Sequence, residues 1–509
     1  MKLAALFALL IPALALAADW PQWGRDPSKN MVSDEKGLPA TCDPGKTDDT
    51  GKIDLSTAKN VKWATKLGSK CYGNPTVAGG KIFVGTNNDS PRDPKFKGDY
   101  SMLYCLDEAT GNFLWQLGCP KLSAGENIDT GDLGICSSPA VDAAAGRVYV
   151  VTNRCEILCL DVNGQANGNQ GPFTDEGQYF AGPGKPPLPV GSADADIIWR
   201  YDMRDELGIF ANQQAASSIL IVGDRIYACT SNSRNWAGHT PAPNAPVLIC
   251  LDKKTGKLIG QEVSGISART FFSNWCSPAY GKVGDQEMII FGGGDGWCYA
   301  FAAEPVPGHD GTPILKELWR FDANPANRRM RDGKPIKYGV DGGPREIIAT
   351  PVFHQGKVYV ATGRDPDGSA EEGCLSCIDA SKTGDITTTG KVWQYDKIKT
   401  TTSNAAVANN LLFIADHEGF AYCFDAQKGG PPFWKHDVEA KPWGSTLVAD
   451  GKVYLGTSEG NLVTFAAARE EKVLGTTAFG GSIASTPVAA NGTLYLATET
   501  FLFAIAEKK

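Results

Sequence analysis

The side chains able to do chemistry in this 509-residue chain are fourteen cysteines, five histidines, two charged clusters and a few tryptophans. One cluster is Gly363-Arg364-Asp365-Pro366-Asp367-Gly368-Ser369-Ala370-Glu371-Glu372. Carboxylates among glycines are hard oxygen ligands of the kind calcium takes, so Asp365, Asp367 and Glu371 are candidate cation ligands. Their spacing departs from the EF-hand pattern, and a solvated acidic loop accounts for the same residues. The other cluster, Arg328-Arg329-Met330-Arg331 with Arg345 and Glu346, could grip a carboxylate-rich ligand or pair with nearby aspartates. Trp275 and Trp443 could floor a site for a flat ligand, or pack internally. His417, in Asp416-His417-Glu418-Gly419, is either a titratable group facing a ligand or part of a solvated turn. Trp275, Arg345, Arg364, Asp365, His417 and Trp443 are therefore the candidate ligand-facing residues, and no catalytic residue is singled out.

Other patterns fall away on inspection. Cys374-Leu375-Ser376-Cys377 has the spacing of a metal or redox pair, but strand alternation points the two thiols to opposite faces. There is no Cys-x-x-Cys-His, which excludes covalent haem of that type. Gly292-Gly293-Gly294-Asp295-Gly296 precedes no helix, so it is a turn rather than a phosphate cradle. A net charge of −8 argues against a nucleic-acid partner or an anionic membrane surface. Hydrophobic content of 42% and charged content of 21% are globular values, and 58 glycines suit a chain with many tight turns.

The elements that must position these residues are short strands. Met1-Lys2, an apolar run from Leu3 to Leu16 and Ala15-Leu16-Ala17 read as a signal peptide over residues 1–17. The first cysteine is Cys42, so no lipid anchor is expected at the cleavage point, and no other stretch approaches membrane-spanning length. The expected product is exported, soluble, and periplasmic or extracellular. Residues 18–60 are polar and irregular, an arm lying over the domain. From residue 61 onward a unit recurs, best preserved in Leu103–Gly118: an alternating strand, an Asp-x-x-Thr-Gly turn, and a strand carrying a tryptophan.

Each unit opens on a Ser, Thr or Asn step: Asn74-Pro75, Ser138-Pro139, Ser217-Ser218, Ser277-Pro278, Thr350-Pro351, Asn404-Ala405, Ser445-Thr446 and Thr486-Pro487. The last steps, 405 to 446 and 446 to 487, are each 41 residues. A period of about 40 residues with four strands per unit is a propeller blade. The expected fold is therefore all-β: an eight-bladed β-propeller of four-stranded antiparallel blades over residues 61–509, with long loops in the first five blades. The last unit lacks its fourth strand, and the orphan strand at Trp63 can supply it. That pairing of N- and C-terminal segments closes the ring and removes two exposed edges.

With strands lettered A to D from the axis outward, B–C and D–A connections emerge on one face. Seven insertions fall there: 87–99, 231–246 and 364–373 as B–C loops, and 119–135, 202–213, 265–275 and 322–346 as D–A loops. Two more, 163–196 and 304–315, lie at C–D turns and belong opposite. Loops of such length are usually functional, so a site is expected on the B–C/D–A face. The register also sorts the cysteines. Cys105, Cys159, Cys250, Cys377 and Cys423 share one strand position where other units have Ala or Thr, as small core fillers do. Cys71, Cys119, Cys136 and Cys155 map near the inserted face and are disulfide candidates with connectivity open.

Asp107, Thr110, Gly111, Trp115 and Gly118 match in full the Asp-x-x-Thr-Gly-x-x-x-Trp-x-x-Gly motif of quinoprotein-type propellers, and the chain resembles that PQQ-like repeat family. Trp20-Pro21-Gln22-Trp23-Gly24 and Gly37-Leu38-Pro39 look like exported bacterial PQQ-binding-like propeller proteins. The resemblance implies the fold, whereas function lives in sites grafted on it. The expected role is a non-catalytic binding or scaffold module whose partner is a protein, glycan or small molecule. The alternatives are a dehydrogenase using PQQ and calcium as cofactors to oxidise an alcohol, and an outer-membrane assembly scaffold of the BamB type. The dehydrogenase pattern often includes an adjacent Cys-Cys pair, which this chain lacks, and the BamB type carries an anchoring cysteine that is also missing.

Overall fold

Eight antiparallel sheets follow one another along the chain, and their innermost strands are Thr76–Ala78, Ala140–Asp142, Leu220–Val222, Ala279–Val283, Val352–His354, Ala406–Ala408, Leu447–Ala449 and Val488–Ala490. The computed structural model describes residues 18–48, 51–121, 132–211, 215–338, 340, 342–364 and 371–507. The segment read as a signal peptide, residues 1–17, lies outside the described residues. Each blade is an up-and-down meander, as in Thr76–Ala78, Lys81–Asn87, Tyr100–Asp107 and Phe113–Pro120 of blade 1. The eighth blade takes its outer strand from the start of the ring: Val61–Lys66 pairs antiparallel with Phe501–Ile505. The eight-bladed propeller with this closure is the expected fold.

The repeat motif is explained by what it does at blade boundaries. The small residue of strand C lies directly across from the strand D tryptophan: Cys105 opposite Trp115, Cys159 opposite Trp199, Ala300 opposite Trp319, Cys377 opposite Trp393, Cys423 opposite Trp434 and Ala504 opposite Trp63. A larger side chain there would contest the indole for the same face. Five of these indoles hydrogen-bond to the next blade, while Trp319 Nε1 is buried without a partner. Trp63, Trp115, Trp199, Trp393 and Trp434 donate Nε1–H to the backbone carbonyls of Glu108, Val162, Lys253, Ala426 and Ala468, at 3.0 to 3.3 Å. The turn glycine receives the ring. A Cβ on Gly111 would lie 2.6 Å from Trp63, and one on Gly256 would lie 2.5 Å from Trp199. The Asp and Thr make the turn itself, Asp107 Oδ1 accepting from Thr110 N at 2.9 Å and Thr110 Oγ1 at 2.6 Å. Ring closure uses the same device, since Trp63 sits on Gly111 of blade 1.

The N-terminal arm is bound to the ring more tightly than its irregular sequence suggests. The second residue of every inner strand hydrogen-bonds to it in order. Val77 pairs with Trp20, Val141 N donates to Pro21 O, and Ile221 N to Gln22 Oε1. Tyr280 N donates to Pro27 O, Phe353 N to Ser28 O, and Val407 exchanges two bonds with the Asn30 amide. Val448 N donates to Met31 O, and Ser33 Oγ donates to Ala489 O. The arm therefore satisfies backbone groups that the innermost edges would leave open. Its anchors lie at A–B turns: Asp19 accepts from Gly79 N, and Asp450 accepts from Leu38 N. It thus seals the axis at the A–B face. Within it Lys29 is wholly buried, donating to Gln22 Oε1 at 3.2 Å and Trp23 O at 3.1 Å. Burial lowers the Lys29 amine from the ordinary 10.5 to about 7, against the opposing pull of Asp26.

The two C–D insertions do not stay on the opposite face. Residues 163–196 start at the C–D turn of blade 2 and climb the outer edge of blade 1. Asp194 bridges Gln116 there, and the helix Glu176–Ala181 reaches the upper end of that blade, where Tyr100 OH donates to Phe180 O. Ile314 likewise pairs parallel with Gln261 on the edge of blade 3. Strand D of a blade is an open edge, and the following blade's insertion covers it.

Two substitutions separate the backbone and packing roles of turn glycines. Gly80→Ala, with φ +76° and nothing within 4 Å of the added Cβ, should cost about 1 kcal/mol. Gly111→Ala, which drives its Cβ into Trp63, should cost about 2–4 kcal/mol in urea unfolding. A third test concerns Lys29. The unfolded chain holds its amine proton between pH 7 and 10.5 where the folded chain does not, so folded stability rises with pH across that window. Lys29→Met should abolish a rise of roughly 3–5 kcal/mol, read from unfolding at pH 6 and pH 10.

Candidate functional site

Each D–A connection returns to the axis through the Ser, Thr or Asn step, and these residues are linked blade to blade. Asn74 N donates to Ser138 Oγ, Ser138 N to Ser218 Oγ, Ser218 N to Ser277 Oγ, Thr350 N to Asn404 Oδ1, Asn404 N to Ser445 Oγ, Ser445 N to Thr486 Oγ1, and Thr486 N to Asn74 Oδ1. At the remaining boundary, Thr350 Oγ1 accepts from Trp23 Nε1 of the arm at 3.3 Å. Two residues before each step, the chain presents Tyr72, Cys136, Ala216, Trp275, Ile348, Thr402, Trp443 and Ala484. All eight are half-buried while their immediate neighbours in sequence are buried. They line the mouth of the axis on the B–C/D–A face. Trp275 and Trp443 belong to this ring. Its other members, Tyr72 and Thr402 among them, are equally legible from the repeat register but carry no motif of their own.

The rings around the mouth contact one another. Tyr72 and Trp443 meet edge to face at 5.6 Å, spanning the boundary occupied by small Ala484. Trp275 meets Phe272 at 5.9 Å, and Phe272 meets Trp236 at 5.8 Å. The indole Nε1 of Trp275 is buried without a hydrogen-bond partner, and Trp236 is 59% exposed. His417 sits beneath Trp443: Thr402 N donates to its Nε2 at 3.2 Å and Thr402 Oγ1 donates to Trp443 O at 2.9 Å. Burial and Lys441 lower its pKa to about 3, so the ring is neutral and braces Thr402. Asp416 is equally committed, accepting from Tyr422 OH at 2.7 Å and from the amides of Lys399, Glu418 and Phe420.

The charged clusters converge at blades 4 and 5, where they pair with each other. Arg345 is 1% exposed and forms an ion pair with Glu371, while Arg364 Nη1 reaches the other oxygen of Glu371 at 3.2 Å. Arg329 makes a bidentate pair with Asp322 at 2.6 and 2.8 Å. Arg328 donates to the carbonyls of Glu372, Gly373 and Asp396. These arginines hold the 322–346 and 364–373 loops together. Asp365 and Asp367 lie outside the described residues. Among the described residues, no group of three or more His, Cys, Asp and Glu side chains is placed to hold a metal ion. Glu346 is fully buried, with Tyr338 OH donating to Oε1 at 2.9 Å and Oε2 without a partner. Burial raises its carboxyl from 4.5 to about 7, against hydrogen bonds and Arg364 and Arg345. Tyr338 is stacked on Phe271 at 5.2 Å, which fixes it over the carboxyl.

Of the disulfide candidates, the Cys71 thiol is buried against Gly85 O at 3.2 Å and has Cys136 as its titratable neighbour. Cys119 Sγ meets Tyr179 OH at 3.3 Å, beside the cavity at the edge of blade 2. Cys155 is buried with φ +57° at the B–C turn of blade 2.

A family model described as outer membrane protein assembly factor BamB matches residues 47–171. No curated protein sequence matches the chain. Among solved structures, BamB from Moraxella catarrhalis is similar at 12% identity and TM-score 0.51, over 88% of this chain and 97% of that one. The computationally designed Ika8 protein is similar at 9% identity and TM-score 0.50, over 88% of this chain and 99% of that one. The quinohemoprotein alcohol dehydrogenase from Comamonas testosteroni follows at 16% identity and TM-score 0.48, over 97% and 81% of the two chains. At these identities the likeness is one of fold. The indole-on-glycine repeat, the eight-bladed ring closed by Val61–Lys66 and the match over residues 47–171 make this chain similar to the PQQ-like β-propellers.

Proposed function

We propose that the protein is a non-catalytic binding module that takes its protein, glycan or small-molecule ligand at the axial mouth of the B–C/D–A face. The observation that carries this reading is the eight-membered half-buried ring at that mouth, with Trp275, Trp443 and Tyr72 on it and the arm sealing the other end. A partly aromatic, half-buried ring whose neighbouring charges are already paired with one another is suited to recognition. An exported location, periplasmic or beyond, follows from the reading of residues 1–17 and agrees with a scaffold role of the BamB type. The fold likeness and the family-model match are the support for that scaffold role.

Among the described residues, two acidic side chains on this face, Glu371 and Asp416, do not fit a calcium-bound quinone. A calcium site needs carboxylate and amide oxygens with open lone pairs. Here the Glu371 carboxylate is gripped by two guanidinium groups, and Asp416 is saturated by a phenol and three amides. One observation favours the dehydrogenase reading, namely the Glu346 carboxyl poised near neutrality, as a general base would be. That carboxyl is sealed beneath Tyr338, out of reach of a substrate.

Two measurements test these readings. Purified protein titrated with PQQ and calcium should develop no cofactor absorption band and no dye-linked alcohol oxidation. Saturable binding with turnover would overturn the binding-module reading. For Glu346, the unfolded chain loses its proton near pH 4.5 and the folded chain near pH 7, so folded stability falls as pH rises through that window. Glu346→Gln should leave stability near wild type at pH 4 and raise it by roughly 2–3 kcal/mol at pH 8, read from urea unfolding midpoints. A carboxylate that is solvated and charged when folded would show no such gain.

A further inference from the structure

Away from the axis, at the outer edge of blade 2, the climbing insertion encloses a cavity of ≈ 240 Å³ lined by Arg154, Arg200, Phe173, Tyr179, Gln178 and Pro183, with Asp175 and Gly182 at its wall. Arg154 comes from the B–C turn, Arg200 from strand D, and Phe173 and Tyr179 from the insertion. Arg154 is 7% exposed, and its guanidinium lies over the Tyr179 ring at 5.2 Å.

The two arginines of this cavity share a single buried partner. Both guanidinium groups address the same oxygen of Glu156, Arg200 Nη1 at 3.0 Å and Arg154 Nη2 at 3.4 Å. The other oxygen accepts from Tyr179 OH at 2.8 Å and Thr152 Oγ1 at 3.4 Å. The Glu156 carboxylate, itself fully buried, is thus filled, and two cations share one anion. Neighbouring Asp202 is paired with Arg204 at 3.4 Å. Asp175, exposed at the rim, has solvent to itself. Arg154 Nε is buried without a hydrogen-bond partner. That buried atom faces protein rather than the cavity, but Arg200, with its side chain 35% exposed, turns its remaining guanidinium donors to this solvent-open space, where a ligand oxygen can meet them.

We propose that this cavity is a binding site for a small organic carboxylate with a short apolar body. Arg154 and Arg200 receive the carboxylate, since the planar fork of arginine matches its two oxygens. Phe173, Pro183 and the Tyr179 ring enclose the apolar part, which distinguishes the site from one for free phosphate. The volume lies below the roughly 300–1,000 Å³ of sites for drug-sized molecules, which sets the ligand at the scale of benzoate. The site stands apart from the axial mouth and does not depend on the function proposed there.

The test is titration calorimetry of the full chain with benzoate, acetate and inorganic phosphate at constant ionic strength. Benzoate should saturate one site below about 10 mM. Arg200→Gln, at a position one-third exposed and with Arg154 still paired to Glu156, should stay folded, as its circular dichroism at about 25 °C will show, and weaken benzoate binding about tenfold or more. Arg154→Lys keeps the charge but loses the fork and should weaken binding likewise; if that variant fails to fold, Arg200→Gln decides. Absence of saturation, wild-type affinity in Arg200→Gln, or phosphate or acetate binding as tightly as benzoate would each overturn the proposal.

Discussion

The indole of one blade lying on the turn glycine of the next is the contact on which the ring depends. It couples three requirements. A small residue stands across from the tryptophan, a positive-φ glycine receives the ring as at Gly111 and Gly256, and a backbone carbonyl accepts the indole N–H of every one of these tryptophans but Trp319. Cys105, Trp115 and Gly111 are therefore read at two different boundaries: Trp115 serves blade 2, while Gly111 serves Trp63 of blade 8. This explains why so many cysteines occur in register without functional consequence. Burial raises the Cys105 thiol well above its ordinary range, which makes it inert.

A ring of meanders still has two kinds of open edge, and the chain closes each by a separate means. At the axis the arm hydrogen-bonds to the second residue of all eight inner strands. At the rim, C–D insertions run parallel to the outer strand of the preceding blade, as at Gln116, Gln261 and Trp319. Segments that read as irregular thus complete sheets. The same arm makes the two ends of the axis unequal. Its buried Lys29 is an amine held in the sealed end by Gln22 and the Trp23 carbonyl.

On the loop-rich face, the paired charges and the half-buried ring at the mouth are separate. The arginines and carboxylates around blades 4 and 5 satisfy each other and fasten long loops to the ring. The surfaces left over are the aromatic and small side chains at the mouth and, separately, the arginine-lined cavity beside blade 2. In both places a polar group remains unfilled, Trp275 Nε1 at the mouth and Arg154 Nε at the rim.

The sequence by itself determined the architecture: the 41-residue period, the Asp-x-x-Thr-Gly turn and the orphan strand at Trp63 are local patterns, and local patterns repeat visibly. It also fixed on which side each loop leaves the ring, because connection type decides that, but not where the long C–D insertions then travel. Only the tertiary structure decided what the charged residues do. Arg345 and Glu371 lie 26 positions apart, and Arg154, Glu156, Tyr179 and Arg200 come from a turn, a strand, a helix and another strand. Pairings of that kind depend on how insertions of no fixed length fold back over the blades. No period records that path, so a basic motif that looked ready for a ligand proved to be bound already, and a cavity with an unfilled arginine had no motif at all.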